Sequence, residues 1–258
     1  MREEMTGMRG FLCEDTAEGI FTGVYDAWAS GLGHEHVRLF LKGQYEPELF
    51  TEYVETEPDH EKAEKVARSV RRKISPDAFR TVYRTAMSVR ADKAELIYRF
   101  LIEGFHYGAD VMRMLSRPAV SRILDAAGRV ANEAHKFLEF IRFEQLESGI
   151  LAAVIAPKSN VLTLVAPHFE ARFSGENWII YDKTRKRAAI HRALESYLLM
   201  ELDSRQEERL LKEHGKKDGY GDLWKVFFQS VAIESRKNER CQRNFLPLWY
   251  RTHMTEFL

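Results

Sequence analysis

The residues with the greatest capacity for chemistry lie between Asn132 and Asp182, where acids, histidines and arginines stand among aromatic residues. His135, His168 and Asp182 are the candidate acid–base or metal-binding groups of an enzyme. Glu139 follows His135 by four residues, so the two side chains can meet on one face of a helix. Since no metal-type spacing links these groups, the alternative is that both histidines are packed side chains with one satisfied nitrogen each. We therefore predict no metal site and no cofactor.

Two arginines of this stretch, Arg142 and Arg172, each directly precede a phenylalanine. An arginine in this position can lay its stem on apolar surface and present its planar guanidinium to a carboxylate or a phosphate. The first alternative is an internal ion pair, because interior charges need partners. The candidate acids for it are Glu133, Glu144 and Asp182. The second alternative is a contact with a nucleic acid.

Basic residues also cluster on a predicted hairpin turn and near the C-terminus. The candidate nucleic-acid contacts among them are Lys183, Arg185, Lys186 and Arg187 on the turn, and Arg236, Lys237 and Arg240 near the end. Trp178 and Tyr181 stand just before the turn, and aromatics beside cations suit single-stranded or distorted DNA. The alternative is that these runs are solvated faces, and that Trp178 and Tyr181 are core residues of a strand, an interpretation favoured for Trp178.

Composition limits the classes of protein to consider. The 39 basic and 39 acidic residues cancel, which argues against a wholly basic nucleic-acid binder. The chain lacks a Gly-rich phosphate loop, a Cys-x-x-Cys pair, a His-Glu-x-x-His helix and a Gly-x-Ser-x-Gly turn. It also lacks a long apolar run and a signal-type N-terminus, and its only cysteines are Cys13 and Cys241. We therefore expect a cytoplasmic protein that makes no membrane contact.

The elements that must position these residues form two parts, 1–143 and 144–258. The first part is predicted to be mostly helical. After a short strand at 9–15 and a helix that starts at Thr16, apolar spacing and start signals predict helices over 58–73, 75–88, 92–108 and 116–143.

In the second part, apolar runs on either side of 147–149 and of the 183–187 turn predict two hairpins, with a short helix at 166–173 between them. Because the connections are short, we expect a small antiparallel sheet with flanking helices. The predicted fold class is therefore α+β, with further helices near the C-terminus.

Five segments carry a resemblance that spans nearly the whole chain: EGIFTGVYDAW, EKAEKVARSVRRKIS, EAHKFLEFIRFEQL, APHFEARFSGENWIIYD and ESRKNERCQRNFLPLWYRTHMTEF. In order and spacing they resemble a bacterial family of DNA-metabolism or DNA-repair proteins of unknown function. None of the segments is a catalytic motif. The resemblance implies a radical SAM protein as a partner, and a related domain occurs fused to a uracil-DNA glycosylase-like domain.

Three groups of residues fall on patterns of this family. They are Glu133, His135, Arg142 and Phe143; His168, Phe169, Arg172, Trp178 and Asp182; and Arg236, Asn238 and Gln242. The chain departs from the family near its end. Relatives commonly carry Asn-Pro where Asn238 and Glu239 stand, and basic residues where Leu248 and Trp249 follow Pro247. A DNA contact at that end is therefore expected to be weaker or different in this chain.

Three functions remain open at this point. The first is an accessory protein of DNA repair or DNA metabolism that binds DNA, a radical SAM partner, or both. The second is an enzyme that acts on DNA or a nucleotide through His135, His168 and Asp182. The third is a structural adaptor without DNA contact, in which the acidic stretch 46–64 docks a basic partner surface.

Overall fold

The computed structural model describes residues 7–214 and 219–257, and divides them into two units. The first unit ends at Asn132 and the second begins at Glu133, whereas the sequence suggested a boundary at 143. The division falls inside a long helix, Pro118–Phe140. Each unit has its own sheet.

The strands are β1 Met8–Cys13, β2 Val37–Leu41, β3 Thr51–Glu55, β4 Glu144–Gln145, β5 Leu151–Ile155, β6 Trp178–Asp182, β7 Arg187–His191 and β8 Leu198–Glu201. The helices are α1 Ala17–Ala29, α2 His60–Lys73, α3 Pro76–Ala86, α4 Lys93–Tyr107, α5 Pro118–Phe140, α6 Leu162–Arg172, α7 Ser204–Glu213, α8 Gly219–Ser230, α9 Glu239–Phe245 and α10 Leu248–Arg251. This mixture of helix and sheet agrees with the α+β class.

The first unit contains a three-stranded sheet in the order β2-β1-β3, with β1 parallel to both neighbours. The last four residues of β1 are buried, which is typical of a strand covered on both faces. Helix α1 supplies the crossover that returns the chain to the starting end of the sheet, so that β2 runs parallel to β1. The sequence predicts the opening strand and, at 34–57, either irregular structure or short strands, but it does not predict that these strands pair parallel to β1.

Helix α1 packs closely on β1 because a glycine stands at the contact. A Cβ atom at Gly23 would lie 2.2 Å from Cys13 Sγ, so no larger residue fits there. Cys13 is completely buried, and burial raises the pKa of its thiol to about 12. The helix begins where predicted, since the Thr16 side chain accepts a hydrogen bond from Gly19 N at 2.9 Å.

The helices that follow confirm the start signals in the sequence. Asp59 caps α2 through Lys62 N at 3.0 Å, and Ser75 caps α3 through Ala78 N at 3.0 Å. Pro76 occupies the first helical position of α3, where its missing N–H breaks no helical bond. These caps fix the ends of helices whose apolar faces are buried in the unit.

The second unit contains a five-stranded sheet in the order β4-β5-β6-β7-β8. The predicted hairpins β4–β5 and β6–β7 are present and antiparallel. The expectation of a purely antiparallel sheet is wrong, because β5 and β6 are parallel. Helix α6 connects these two strands, and a helical crossover brings the chain back in the same direction.

Helix α6 is longer than predicted, since it begins at Leu162 and contains Pro167 in its interior. Proline removes one helical hydrogen bond there, which is why the sequence suggested a helix start close to it. Burial of Leu162, Val165, Ala166 and Phe169 at the spacing i, i+3, i+4, i+7 stabilises the longer helix.

No helix in the described ranges 7–214 and 219–257 combines the length and the apolar character that crossing a bilayer requires.

Candidate nucleic-acid interface

The three candidate catalytic groups of the second unit each have a separate local environment. His135 Nε2 lies 3.2 Å from Glu139 Oε1, which is the pair that the helical spacing predicts, and the His135 side chain is 69% exposed. His168 is exposed on α6, with its ring edge against the neighbouring Phe169. Asp182 is completely buried. No contact in the described part of the chain joins any two of the three.

Asp182 stabilises the chain turn at the end of β6. Its carboxylate accepts hydrogen bonds from Thr184 N at 2.9 Å, from Arg185 N at 3.2 Å and from Arg185 Nη1 at 3.1 Å. Burial raises the pKa of this carboxyl, and the charge and hydrogen bonds of Arg185 oppose that rise. Asp182 therefore organises the turn between β6 and β7. Within the described ranges, moreover, no three His, Cys, Asp or Glu residues are grouped so that they could hold a metal ion.

The cations of the 183–187 turn are mostly engaged inside the unit. Arg185 donates to the carbonyl oxygens of Pro157 and Lys158 as well as to Asp182. Lys186 Nζ lies 3.3 Å from Glu207 Oε2, and Arg187 Nε lies 3.8 Å from Glu201 Oε1.

Lys183 is the exception in this turn, since it is exposed and no carboxylate of the described residues lies within 4 Å of it. Among the described residues, the turn therefore has one cation without an ion pair, whereas the sequence suggested four cations as nucleic-acid contacts.

Tyr181, the aromatic residue before the turn, is also engaged. Its hydroxyl donates to Glu207 Oε1 at 2.6 Å, and the ring is completely buried. Trp178 is completely buried too, stacked on His191 with ring centroids 5.0 Å apart. The interpretation of Trp178 as a core residue is confirmed, so neither aromatic is available for stacking on a base.

Arg142 forms an internal ion pair, although not with the acids that the sequence suggested. Its Nη2 and Nε lie 2.8 Å and 3.3 Å from the two carboxylate oxygens of Glu256. The Glu256 side chain is 2% exposed and also accepts from Trp224 Nε1 at 3.2 Å. Burial alone would raise the pKa of Glu256, but the hydrogen bonds and charge of Arg142 outweigh it and leave the pKa below its ordinary value.

Glu133, one of the acids considered for Arg142, instead accepts from Lys158 N at 2.6 Å and Ser159 N at 3.1 Å. Arg172 is exposed, with its guanidinium 5.8 Å from the centroid of the Phe173 ring. A contact of Arg172 with a nucleic acid stays a prediction.

Two histidines that the sequence did not single out, His214 and His253, form a titratable group with Glu144 beside the Arg142–Glu256 pair. His214 Nε2 lies 3.6 Å from Glu144 Oε2, and each side chain is 15% exposed. Burial lowers the pKa of His214, against the charge of Glu144. Burial also lowers the pKa of His253, and the positive charges of Lys183 and His214 add to this effect. No local motif could have revealed the group, because its members are distant in sequence.

A cavity of about 440 Å³ connects this group to α8. Its polar wall is formed by Arg142, Glu144 and Thr255, and its aromatic wall by Tyr220 and Trp224. The Arg142 guanidinium lies 5.8 Å from the centroid of the Trp224 ring, so a cation and an aromatic face adjoin here.

The C-terminal segment, defined here as residues 219–245, carries large apolar side chains in solvent. The exposed aromatic residues are Tyr220 at 73%, Trp224 at 39%, Phe227 at 53%, Phe228 at 40% and Phe245 at 68%. Arg236 and Arg240 are exposed as well, and no carboxylate of the described residues pairs with either. Exposed aromatics and available cations thus occur together in this segment.

The start of α9 explains one departure from the resembling family. Asn238 caps the helix by accepting from Cys241 N at 2.9 Å, and Glu239 takes the first helical position. Proline also fits the first position of a helix, so a helix can begin with either Asn-Glu or Asn-Pro. The second departure is structural: Trp249 packs with Phe137 and Tyr250 at the core of the unit.

Comparison with known proteins gives a family but no activity. A solved structure described as the DHH domain of a member of a family of ribosomal proteins has 10% sequence identity and a TM-score of 0.35. The match covers 72% of this chain and 74% of that chain. No curated protein matches. The model of a domain of unknown function, DUF4130, matches residues 91–256, which is more than half of the chain, and the protein therefore belongs to the DUF4130 family.

Proposed function

We propose that this protein is an accessory factor of DNA metabolism that binds single-stranded or distorted DNA through its C-terminal segment. The observation that carries the proposal is the joint exposure, between residues 219 and 245, of aromatic rings and of Arg236 and Arg240, which form no ion pair with the described residues. Proteins that bind single strands combine a cationic track for the backbone with aromatic faces on which bases stack.

The exposed aromatic rings of the C-terminal segment favour base stacking on energetic grounds. Five large rings in solvent are unfavourable in the free protein, since burying an aromatic ring removes a large apolar area from water. Tyr220 and Phe245 are the most exposed of the five. Stacking on unpaired bases would remove this area from water without demanding a particular sequence.

Arg236 and Arg240 are more available to a phosphate than the arginines that form internal ion pairs. A phosphate competes poorly for a guanidinium that already holds a buried carboxylate, as Arg185 holds Asp182 and Arg142 holds Glu256. Arg236 and Arg240 carry no such partner among the described residues. This favours the C-terminal segment over the 183–187 turn as the phosphate-binding region.

The test compares two double variants that each remove two positive charges. Arg236→Met with Arg240→Met should weaken the binding of a fluorescent mixed-sequence single strand, and should reduce the slope of log K against log salt by about 1.4, at ~0.7 for each phosphate contact. Lys183→Met with Lys186→Met should leave affinity and slope nearly unchanged. Fluorescence anisotropy at several salt concentrations measures both.

The reverse ranking would overturn the assignment to the C-terminal segment and support the turn. No binding of single-stranded or gapped DNA by the wild-type protein would overturn the DNA-binding function itself. Circular dichroism of each variant confirms that the fold is intact.

A protein partner is the second candidate function, and the aliphatic residues of the same region favour it. Leu223, Val226, Val231 and Leu248 are each more than half exposed, and aliphatic side chains do not stack on bases. By family resemblance the partner is a radical SAM protein. Val226→Asp should then abolish co-elution of the two purified proteins, while Val89→Asp, at an exposed position of the first unit, should not. Equal co-elution with both variants would contradict this docking face.

A further inference from the structure

We propose that a cleft in the first unit is a binding site for a nucleoside monophosphate. The cleft has a volume of about 480 Å³, within the range of roughly 300–1,000 Å³ that is usual for small-molecule sites. Tyr25, Trp28 and Phe105 form an aromatic side, and Lys65, Ser69 and Lys73 form a polar side. The site is independent of the DNA-binding proposal, because all of these residues except Phe105 precede the matched domain.

The aromatic side is held in place by neighbouring rings. The Trp28 ring contacts Phe105, Tyr98 and His34 edge-on, with centroids 5.2 Å, 5.7 Å and 4.6 Å away. His34 is itself fixed by a 2.9 Å hydrogen bond between its Nδ1 and the Tyr98 hydroxyl. Trp28 is nevertheless 37% exposed, so a fixed indole surface remains open to the cleft. Such a surface suits stacking by a planar base.

The polar side is a single stripe of helix α2. Lys65, Ser69 and Lys73 are spaced four residues apart, which places them on one face over about 12 Å. Neither lysine has a carboxylate within 4 Å among the described residues, and none of the residues that line the cleft is acidic. The stripe therefore presents two available positive charges with a hydroxyl between them.

Other cations of the same helix form ion pairs where an acid lies near. Lys62 Nζ lies 2.8 Å from Asp26 Oδ1, and Arg68 Nη2 lies 3.7 Å from Glu64 Oε1. On the face toward the cleft, by contrast, Lys65 makes no ion pair with a described carboxylate, and its Nζ lies 5.8 Å from the Tyr25 ring centroid. An anionic ligand is the occupant that this charge distribution favours.

Two hydroxyl groups in the cleft also lack partners among the described residues. The described contacts include no hydrogen bond from the Tyr25 hydroxyl or from Ser69 Oγ. A ligand with a ring to stack, a charged group for the lysines and ribose hydroxyls for Tyr25 and Ser69 would use every group of the site. A nucleoside monophosphate carries all three of these groups, whereas an apolar peptide would give the lysines no anionic partner.

The test is isothermal titration of the full-length protein with AMP, GMP, CMP and UMP, with the matching nucleosides and with inorganic phosphate. At least one nucleotide should bind, and its nucleoside should bind about tenfold more weakly or worse, because it lacks the charge. Lys65→Met with Lys73→Met should cause a similar loss. The matched control is Arg68→Met with Arg72→Met, which removes two charges from α2 outside the cleft and should bind like the wild type.

Three results would overturn the proposal: no binding of any nucleotide at millimolar concentration, equal loss in the lysine variant and the control, or tighter binding of O-phosphotyrosine than of every nucleotide. Ser69→Phe, which fills the cleft from a partly exposed position of α2 without removing a core residue, should also abolish binding. Wild-type affinity in a folded Ser69→Phe protein would place the ligand elsewhere.

Discussion

The 183–187 turn and the C-terminal segment are both rich in cations, but they differ in whether those cations form ion pairs. In the turn, Arg185 joins the buried Asp182 to the 157–158 loop, and Lys186 and Arg187 face carboxylates. In the C-terminal segment, Arg236 and Arg240 face solvent, and the same segment exposes aromatic rings. Local charge density is therefore a poor guide to phosphate binding, because what matters is whether a carboxylate already holds the cation.

The largest expected effect that separates the two regions is on stability. Arg185→Met leaves Asp182 buried without its cation, and should lower the free energy of unfolding by about 3 kcal/mol. Arg240→Met should change it by less than about 0.5 kcal/mol. Urea denaturation of both variants measures the difference, and equal stabilities would mean that the turn is not organised by this pair.

The next effect is on affinity for single-stranded DNA. Tyr220→Leu removes a stacking ring that is 73% exposed, and should cost about 1–3 kcal/mol of binding, which is a loss of roughly 5- to 150-fold in affinity. Tyr181→Phe keeps a buried ring and removes only the bond to Glu207, so it should bind DNA like the wild type. Anisotropy titrations compare the two, and an unchanged affinity of Tyr220→Leu would contradict stacking at this position.

A smaller effect concerns pH. Because the folded-state pKa of His214 and of His253 lies below the unfolded value of about 6.5, the unfolded chain binds more protons as the pH falls through that value. The free energy of unfolding should therefore decrease from pH 7 downward, until the pH is below the folded-state pKa. His253→Gln should reduce this dependence. Denaturation curves at several pH values test it, and identical pH profiles would remove His253 as a contributor.

The smallest effect is expected at Lys183, the cation of the turn with no ion pair to the described residues. Lys183→Met should alter the free energy of unfolding by less than about 0.5 kcal/mol, because an exposed side chain without a partner contributes little. By removing a positive charge near His253, it should also raise the pKa of that histidine, which a pH titration followed by NMR would detect. A large loss of stability would show that Lys183 is engaged after all.

The sequence predicted local structure well and long-range pairing poorly. Caps such as Asp59 and Ser75 mark helix starts through atoms only three residues apart, so they are visible in any window of sequence. Strand β8 was missed because all of its residues are exposed and no alternation marks it. The parallel pairing of β5 and β6 also depends on tertiary placement.

The candidate site shows the same limit. The helical pair of His135 with Glu139 follows from spacing, whereas Glu256, the partner of Arg142, is 114 residues away and was not among the acids considered. Exposure is likewise a tertiary property. Trp178 and Trp224 both stand in apolar sequence, yet one is completely buried and the other is 39% exposed.

The close approach of Gly23 to Cys13 should also affect how fast Cys13 reacts with an alkylating reagent. A buried thiol with a pKa of about 12 is almost entirely protonated, and the thiolate is the form that alkylating reagents attack. Cys241 is exposed and should react with such a reagent at once. Cys13 should react only when α1 separates from β1. The rate of the slow phase of labelling would therefore report how often the first unit opens.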